Sequence, residues 1–175
     1  LINLGIRKGD RVGLVSENRV EWIISDLALA GIGAISVPLF PNLSPIQEKY
    51  IFNDCDAVAV IVSNKFQLNK LLEIKEDLPT LRQTIVLNDI DSSEELQVKS
   101  FEYVCKRARS LKNIDERSAI YKSSMNKVEA QDILTLIYTS GTTGSPKGVM
   151  LTHKNVLSNV SDALKVIDCG PSDTF

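Results

Sequence analysis

The stretch RVGLVSENRVEWIISDLALAGIGAISVPL, residues 11–39, changes its hydrophobic period twice and thereby decides the fold class. Residues 11–17 and 34–39 are short apolar segments that suit β-strands, whereas the residues between them carry apolar side chains at helical spacing. The helical positions are Val20, Ile23, Ile24, Leu27 and Ala28. Gly31 and Gly33 are expected to end this helix. A strand, a helix and a second strand in this order predict a βαβ unit with parallel strands.

The same alternation continues along the chain. The sequence SPIQ at 44–47 starts a helix, because Ser caps, Pro fits the first helical position and Gln at the third can return the capping bond. Residues 57–62 and 84–88 are apolar runs typical of buried parallel strands, and a helix is predicted over 65–74 between them. We therefore predict an α/β protein with a mostly parallel sheet flanked by helices, whose ligands lie beyond the carboxyl ends of the strands.

The pattern divides the chain into three segments. Residues 1–112 are predicted to form an α/β subdomain of repeated strand–helix units, with a polar surface loop at 89–99 and a helix at 100–111. Residues 113–131 carry mixed charge without clear periodicity, which predicts a connector. Residues 132–175 are predicted to form a strand, a loop, a second strand and a helix.

The third segment contains two short apolar strands at 132–139 and 148–152. Thr152 is placed to cap a helix that runs to about Asp168. The side chains predicted to face inward from this helix are Val156, Leu157, Val160, Leu164 and Ile167. The single histidine, His153, begins the helix and is interpreted as a capping or packing residue.

Composition excludes several classes of protein. The chain has 175 residues, of which 43% are apolar and 24% charged, so a folded core is expected instead of disorder. A net charge of -2 argues against nucleic acid as a partner. Three widely spaced cysteines, Cys55, Cys105 and Cys169, are interpreted as free thiols in a reducing compartment. No apolar run approaches the length of a membrane span, and we expect a cytoplasmic protein.

Both ends of the sequence resemble cuts within a longer protein. The first residue is not methionine, and the sequence stops at PSDTF, where a new apolar segment begins. We therefore expect this chain to be a fragment of a longer protein.

The loop TSGTTGSPKG, residues 139–148, combines features that a polyphosphate requires. Its five hydroxyl side chains are Thr139, Ser140, Thr142, Thr143 and Ser145. Gly141, Gly144 and Gly148 permit close approach of the backbone, and Lys147 supplies a positive charge. A flexible surface hairpin is the alternative, although a hairpin turns with as few as about two residues.

Two other nucleotide motifs do not fit this loop. In a Walker A loop the lysine is followed by Ser or Thr and opens a helix, whereas here Gly148 and a strand follow Lys147. The dinucleotide pattern GxGxxG is also absent from this junction. The loop is therefore interpreted as a phosphate loop between two strands.

The sequence YTSGTTGSPKG resembles the signature phosphate-binding loop of the adenylate-forming enzymes, which include acyl-CoA synthetases, adenylation domains of peptide synthetases and luciferases. The stretches LGIRKGDRVGLVSENRVEW and LALAGIGAISVPLFPNLSP resemble the start of that family's large N-terminal domain. The segments LPTLRQTIVLND and GVMLTHKNVLSNV look most like long-chain fatty acid–CoA ligases, that is, AMP-forming acyl-CoA synthetases. The resemblance thus implies an incomplete part of the large N-terminal domain.

The resemblance implies a two-step reaction. A fatty acid attacks ATP to give acyl-adenylate and pyrophosphate, and coenzyme A then displaces AMP. The loop residues implied to contact the phosphates are Thr139, Ser140, Gly141, Thr142, Thr143, Gly144 and Lys147. Catalytic residues, metal ligands for Mg²⁺ and the coenzyme A site are implied to lie outside this chain, so the chain alone is expected to be inactive. Tyr138 is interpreted as a packing residue.

Two alternatives stay open. The chain could belong to an adenylation domain that loads a carrier protein in place of coenzyme A, or to a non-catalytic ATP-binding module. Peripheral membrane contact of the full-length protein also stays open.

Overall fold

Seven strands form one sheet in the computed structural model, which describes residues 1–88, 98–111, 113–139, 144–167 and 170. The strands are β1 (Arg11–Val15), β2 (Ile35–Leu39), β3 (Ala59–Val62), β4 (Gln83–Val86), β5 (Val98–Ser100), β6 (Ile133–Thr139) and β7 (Lys147–Thr152). Their spatial order is β5-β4-β3-β1-β2-β6-β7. Every neighbouring pair is parallel except β6 and β7, which are antiparallel. The predicted α/β class with a mostly parallel sheet is confirmed.

Six helices and two short 3₁₀ turns connect these strands in the described part of the chain. The helices are α1 (Val20–Ile32), α2 (Pro45–Asp54), α3 (Lys65–Ile74), α4 (Phe101–Leu111), α5 (Ile114–Met125) and α6 (His153–Ala163), and the 3₁₀ turns are Ile2–Leu4 and Lys75–Asp77. The predicted start of α2 is confirmed, because Ser44 and Gln47 form a reciprocal capping box. The bounds of α3 agree with the prediction.

The core lies on both faces of the sheet. Along β3, Val60 and Val62 belong to the core cluster that α2 and α3 cover, whereas Ala59 and Ile61 belong to the cluster on the opposite face. Phe52 of α2 is 1% exposed and is among the largest fully buried side chains. Alternating side chains of a strand point to opposite faces, so continuous apolar runs are buried on both sides.

Helix α1 buries a different set of side chains from the apolar positions that the sequence pattern indicated. Ser25, Leu29 and Ile32 are buried, whereas Val20 and Leu27 are 70% and 64% exposed. Ser25 tolerates burial because its hydroxyl donates a hydrogen bond to the carbonyl of Glu21. The helix is apolar around most of its circumference, so periodicity could not choose the buried side.

The end of α1 differs from the prediction in one residue. Gly31 lies within the helix, and Gly33 alone ends it, with φ of 72° in the left-handed region.

The segment 113–131 is not an irregular connector, because it contains α5. Asn113 and Glu116 form a capping box that starts the helix. Helix α5 was not predicted because its apolar side chains are spread around the helix and form no clear stripe. The division into 1–112, 113–131 and 132–175 stays a prediction, although the pairing of β2 with β6 joins the first and third segments in one sheet.

The prediction that α6 turns its apolar side inward is wrong for most of the named positions. Leu157, Val160, Leu164 and Ile167 are 64%, 47%, 57% and 52% exposed, and only Val156 is half-buried. Helix α6 follows the sheet's edge strand β7 and packs against it. In the described part of the chain, no second layer covers its apolar face.

Several other expectations have mixed outcomes. Thr152 caps α6 as predicted, through a capping box with Asn155. Residues 98 and 99 of the expected surface loop form β5 together with Ser100, which was predicted to begin the helix that follows. Residues 89–97 lie outside the described residues, as do 168–169 and 171–175. Cys55 and Cys105 are free thiols as predicted, and Cys169 is outside the described residues.

Among the described helices, none has the length and apolar character that crossing a membrane requires.

Gly13 of β1 offers a test of core packing. A Cβ at this position would lie 2.5 Å from Cε1 of the buried Phe52, so Gly13→Ala is expected to destabilise the protein by about 1–3 kcal/mol. Gly31→Ala is the matched control, because the group it meets is the hydroxyl end of the 43% exposed Tyr121, which can move aside. We expect its effect to stay within about 1 kcal/mol. Urea midpoints of the two variants compare them directly, and equal midpoints would contradict the prediction.

Candidate phosphate-binding site

The glycine- and hydroxyl-rich loop joins β6 to β7 at the carboxyl edge of the parallel strands. Thr135 of β6 lies opposite Ser36 of β2 in a parallel pair, and its hydroxyl donates to the Ser36 carbonyl at 2.9 Å. Because β6 runs parallel to β2, its end at Thr139 lies at the edge where ligands of such sheets bind. The loop is followed by a strand and not by a helix, which confirms that it differs from a Walker A loop.

The structure describes three of the seven residues proposed to contact phosphate. Thr139 and Lys147 lie directly opposite each other across the β6–β7 hairpin, so their side chains share one face. Gly144 has φ of 118°, a conformation that side-chain-bearing residues rarely adopt. Ser140, Gly141, Thr142 and Thr143 lie outside the described residues.

Lys147 places a positive charge at the base of the loop. Its side chain is exposed, and no residue in the described part of the chain forms an ion pair with it. An exposed ammonium at the mouth of a glycine-containing loop can bind an anionic oxygen without first breaking a salt bridge. The arrangement therefore suits a phosphate group.

Two contacts that the sequence analysis missed fasten this hairpin to α2. The Tyr50 hydroxyl donates to the carbonyl of Pro146 at 3.2 Å, and the Tyr138 hydroxyl donates to Oδ2 of Asp54 at 2.5 Å. The partners are 96 and 84 residues apart in sequence, so no local signal could have indicated them. Tyr138 does pack, as predicted, and it also makes a specific hydrogen bond.

The ring of Tyr138 also restricts the residue after Lys147. A Cβ on Gly148 would lie 3.0 Å from Cζ of Tyr138, so any larger residue here would push against this ring. Burial, and then the hydrogen bond to Asp54, raise the pKa of Tyr138 well above its usual value. The hydroxyl therefore remains a donor at any working pH.

Neighbouring polar groups have structural roles. The backbone N–H of His153 donates to the Asp132 carbonyl at 3.1 Å, and its buried Nε2 has no hydrogen-bond partner among the described residues. Burial raises the pKa of the Cys55 thiol to about 11, so it is protonated near neutral pH. The protonated, buried thiol supports a packing role for Cys55, whereas the role of the His153 side chain stays a prediction.

The described donor set suits an anion better than a metal ion. Thr139 offers a hydroxyl and Lys147 an ammonium, whereas Mg²⁺ prefers carboxylate and phosphate oxygens. Across the described ranges, no group of three His, Cys, Asp or Glu side chains is arranged to hold a metal ion. The site therefore shows no protein cage for Mg²⁺ within these residues.

A parallel sheet with a donor-rich, glycine-containing loop after one of its strands defines a nucleotide- or phosphate-binding α/β protein. The family model described as "AMP-binding enzyme" matches residues 1–175. The chain belongs to the AMP-binding enzyme family.

Individual relatives agree with this assignment. The chain is 34% identical over 178 residues to "Long chain acyl-CoA synthetase 7, peroxisomal" of Arabidopsis thaliana, covering 98% of this chain and 24% of that protein. The solved N-terminal domain of FACL13 from Mycobacterium tuberculosis, with a bound inhibitor, has 27% identity and a TM-score of 0.72 over 96% of this chain and 37% of its own. The anthranilate CoA ligase AuaEII, solved with anthranoyl-AMP, has 28% identity and a TM-score of 0.63 over 87% of this chain and 27% of its own.

The chain spans about a quarter of the length of the curated relatives that it matches. The family and the fold are thus established for these 175 residues, and the resemblance predicted from the loop is confirmed. The activity of the whole protein needs a separate argument.

Proposed function

We propose that the whole protein activates a long-chain fatty acid with ATP, forms an acyl-adenylate with release of pyrophosphate, and transfers the acyl group to coenzyme A. The observation that carries this proposal is the exposed Lys147 opposite Thr139 at the base of the loop of an AMP-binding enzyme. The names of the relatives support a fatty acid as the acyl substrate and coenzyme A as the acceptor.

In this proposal the loop of this chain binds pyrophosphate, which is the leaving group of the first step. Negative charge grows on the pyrophosphate as its bond to the α-phosphorus breaks, and a fixed cation stabilises that charge most when water is excluded. Lys147 supplies the cation, and the Thr139 hydroxyl and loop amides supply hydrogen-bond donors. Ser140, Gly141, Thr142, Thr143 and Gly144 complete the proposed phosphate contacts.

Mg²⁺, when bound with ATP, would neutralise phosphate charge and polarise the phosphoryl oxygens. The described residues offer no carboxylate for it at this loop, so its protein ligands are proposed to lie elsewhere in the whole protein. Binding of the fatty acid and of coenzyme A is likewise assigned to other segments, and this chain alone is proposed to be inactive.

The test is release of pyrophosphate by the whole protein. Release that requires both ATP and a long-chain fatty acid supports the proposal, and acyl-CoA formation with added coenzyme A supports its second step. Acyl transfer to a phosphopantetheinylated carrier protein, but not to coenzyme A, would favour a carrier-loading adenylation domain. ATP binding without pyrophosphate release for any carboxylate would favour a non-catalytic module.

We also propose a cytoplasmic protein with peripheral membrane contact, based on the free thiols and the lipid-like substrate. A relative is named as peroxisomal, so cell fractionation is the appropriate measurement. Recovery in the organelle fraction would contradict the cytoplasmic assignment, and membrane contact would be supported by sedimentation with membranes that high salt reverses.

A further inference from the structure

We propose that Tyr50 and Asp54 of α2 are positioning residues that hold Lys147 in place. This inference rests on the proposed function of the phosphate loop. Helix α2 lies on one face of the sheet, far in sequence from the loop, and forms hydrogen bonds with Tyr138 of β6 and with Pro146, the residue before β7.

The two contacts bracket Lys147. Tyr50 holds the carbonyl of Pro146, which belongs to the peptide unit that leads into Lys147. On the other side, the ring of Tyr138 lies against Gly148. Asp54 accepts a hydrogen bond from the Tyr138 hydroxyl and thereby holds this ring in place. The residues before and after Lys147 are therefore both restrained.

Tyr50 and Asp54 are four residues apart on α2, so they share one side of the helix. Tyr50 reaches Pro146, the residue just before the strand that leaves the loop, and Asp54 reaches Tyr138 of the strand that enters it. A single helix face therefore sets the position of both ends of the loop.

Helix α2 by itself does not favour a carboxylate at Asp54. Asp54 is the last residue of α2, where the negative end of the helix dipole disfavours a carboxylate. No basic residue in the last turn offsets that repulsion. The hydrogen bond from Tyr138 supplies the tertiary partner for this carboxylate.

Helix α2 is itself firmly anchored. Arg11 of β1 donates from Nε to the carbonyl of Cys55 at 2.5 Å, directly after the helix end. In the middle of the helix, the carboxylate of Glu48 pairs with the ammonium of Lys70 on α3 at 2.5 Å, and both side chains are buried. A functional cation held by a rigid element is preorganised and needs less reordering when phosphate binds.

The test uses Tyr138→Phe and Tyr50→Phe in the whole protein, because each removes one hydroxyl and keeps the ring. We expect each to lower kcat/KM for ATP, per folded enzyme, about tenfold in the pyrophosphate-release assay, with KM for the fatty acid unchanged. Asp54→Ala should match Tyr138→Phe, and Asp54→Asn, which retains an acceptor oxygen, should lie nearer the wild type. Combining Asp54→Ala with Tyr138→Phe should add little, because both remove the same bond.

Tyr103→Phe is the matched control. Its hydroxyl accepts a hydrogen bond from Arg107 on the exposed side of α4, so the variant should keep kcat/KM for ATP and KM for the fatty acid. If the hydroxyls served stability alone, the variants would lower the rate only through loss of folded enzyme, and kcat/KM for ATP per folded enzyme would equal that of the wild type, which would overturn the proposal.

Direct binding of pyrophosphate separates this inference from the proposed function. A wild-type protein that releases no pyrophosphate from any fatty acid contradicts the proposed function alone. In that case, about tenfold weaker pyrophosphate binding by Tyr138→Phe still supports the positioning role, whereas unchanged binding overturns it. An active wild type with unaltered variants overturns the positioning role alone.

Discussion

Replacing Lys147 by alanine in the whole protein is expected to lower fatty-acid-dependent pyrophosphate release by about 10²–10³-fold, the loss typical when one preorganised group facing a developing charge is removed. Lys147 is exposed at the base of the loop and no ion pair within the described residues competes for it. Initial rates at saturating fatty acid and varied ATP are the appropriate measurement.

Lys154→Ala provides the matched control for this variant. Lys154 lies on the exposed side of α6, seven residues beyond Lys147, and its removal should leave the rate within about twofold. Lys147→Arg keeps the positive charge but carries it on a planar guanidinium in place of an ammonium, so it should recover part of the rate. A rate for Lys147→Ala equal to that of the wild type would remove Lys147 from the proposed site.

Replacing Glu48 by alanine is expected to destabilise the protein by about 3–5 kcal/mol, because the change leaves a buried ammonium without its partner. The side chains of Glu48 and Lys70 are 2% and 10% exposed and meet at 2.5 Å. Burial raises the pKa of Glu48 above its usual value, although Lys70 opposes that shift. The free energy of unfolding from pulse proteolysis in urea measures the effect.

Two variants sharpen the interpretation of Glu48→Ala. Glu102→Ala removes a carboxylate whose side chain is 55% exposed from an ion pair on α4, and it should cost less than about 1 kcal/mol. Replacing Glu48 and Lys70 together by leucine should restore much of the lost stability, because neither charge then remains buried alone. A cost for Glu48→Ala no larger than that for Glu102→Ala would contradict the buried-pair argument.

The features that the sequence predicted best depend on neighbouring residues. The capping box at Ser44 and the cap at Thr152 follow from nearby residues, and both predictions are confirmed. The parallel strands were recognised from continuous apolar runs, since burial on both faces leaves a local trace. The phosphate loop was recognised for the same reason, because glycines, hydroxyls and Lys147 lie together in one short segment.

The errors arose where burial depends on distant elements. Helix α1 has apolar residues around most of its surface, so its own sequence did not distinguish buried Leu29 from exposed Leu27. The apolar side chains of helix α5 are spread around the helix, so they leave no periodic signal. The apolar face of α6 was predicted to turn inward because its sequence is amphipathic, but sequence alone does not say which element covers it.

The sequence by itself determined the α/β class, the ends of several helices and the loop that identifies the family, since each depends on contacts within a few residues. Only the tertiary structure decided that α2 holds the loop, because Tyr50 and Asp54 meet Pro146 and Tyr138 across 96 and 84 residues. Folding brings these groups together through the parallel pairing of β2 with β6. Such contacts leave no local pattern, since each side chain is also compatible with an exposed position on its own element.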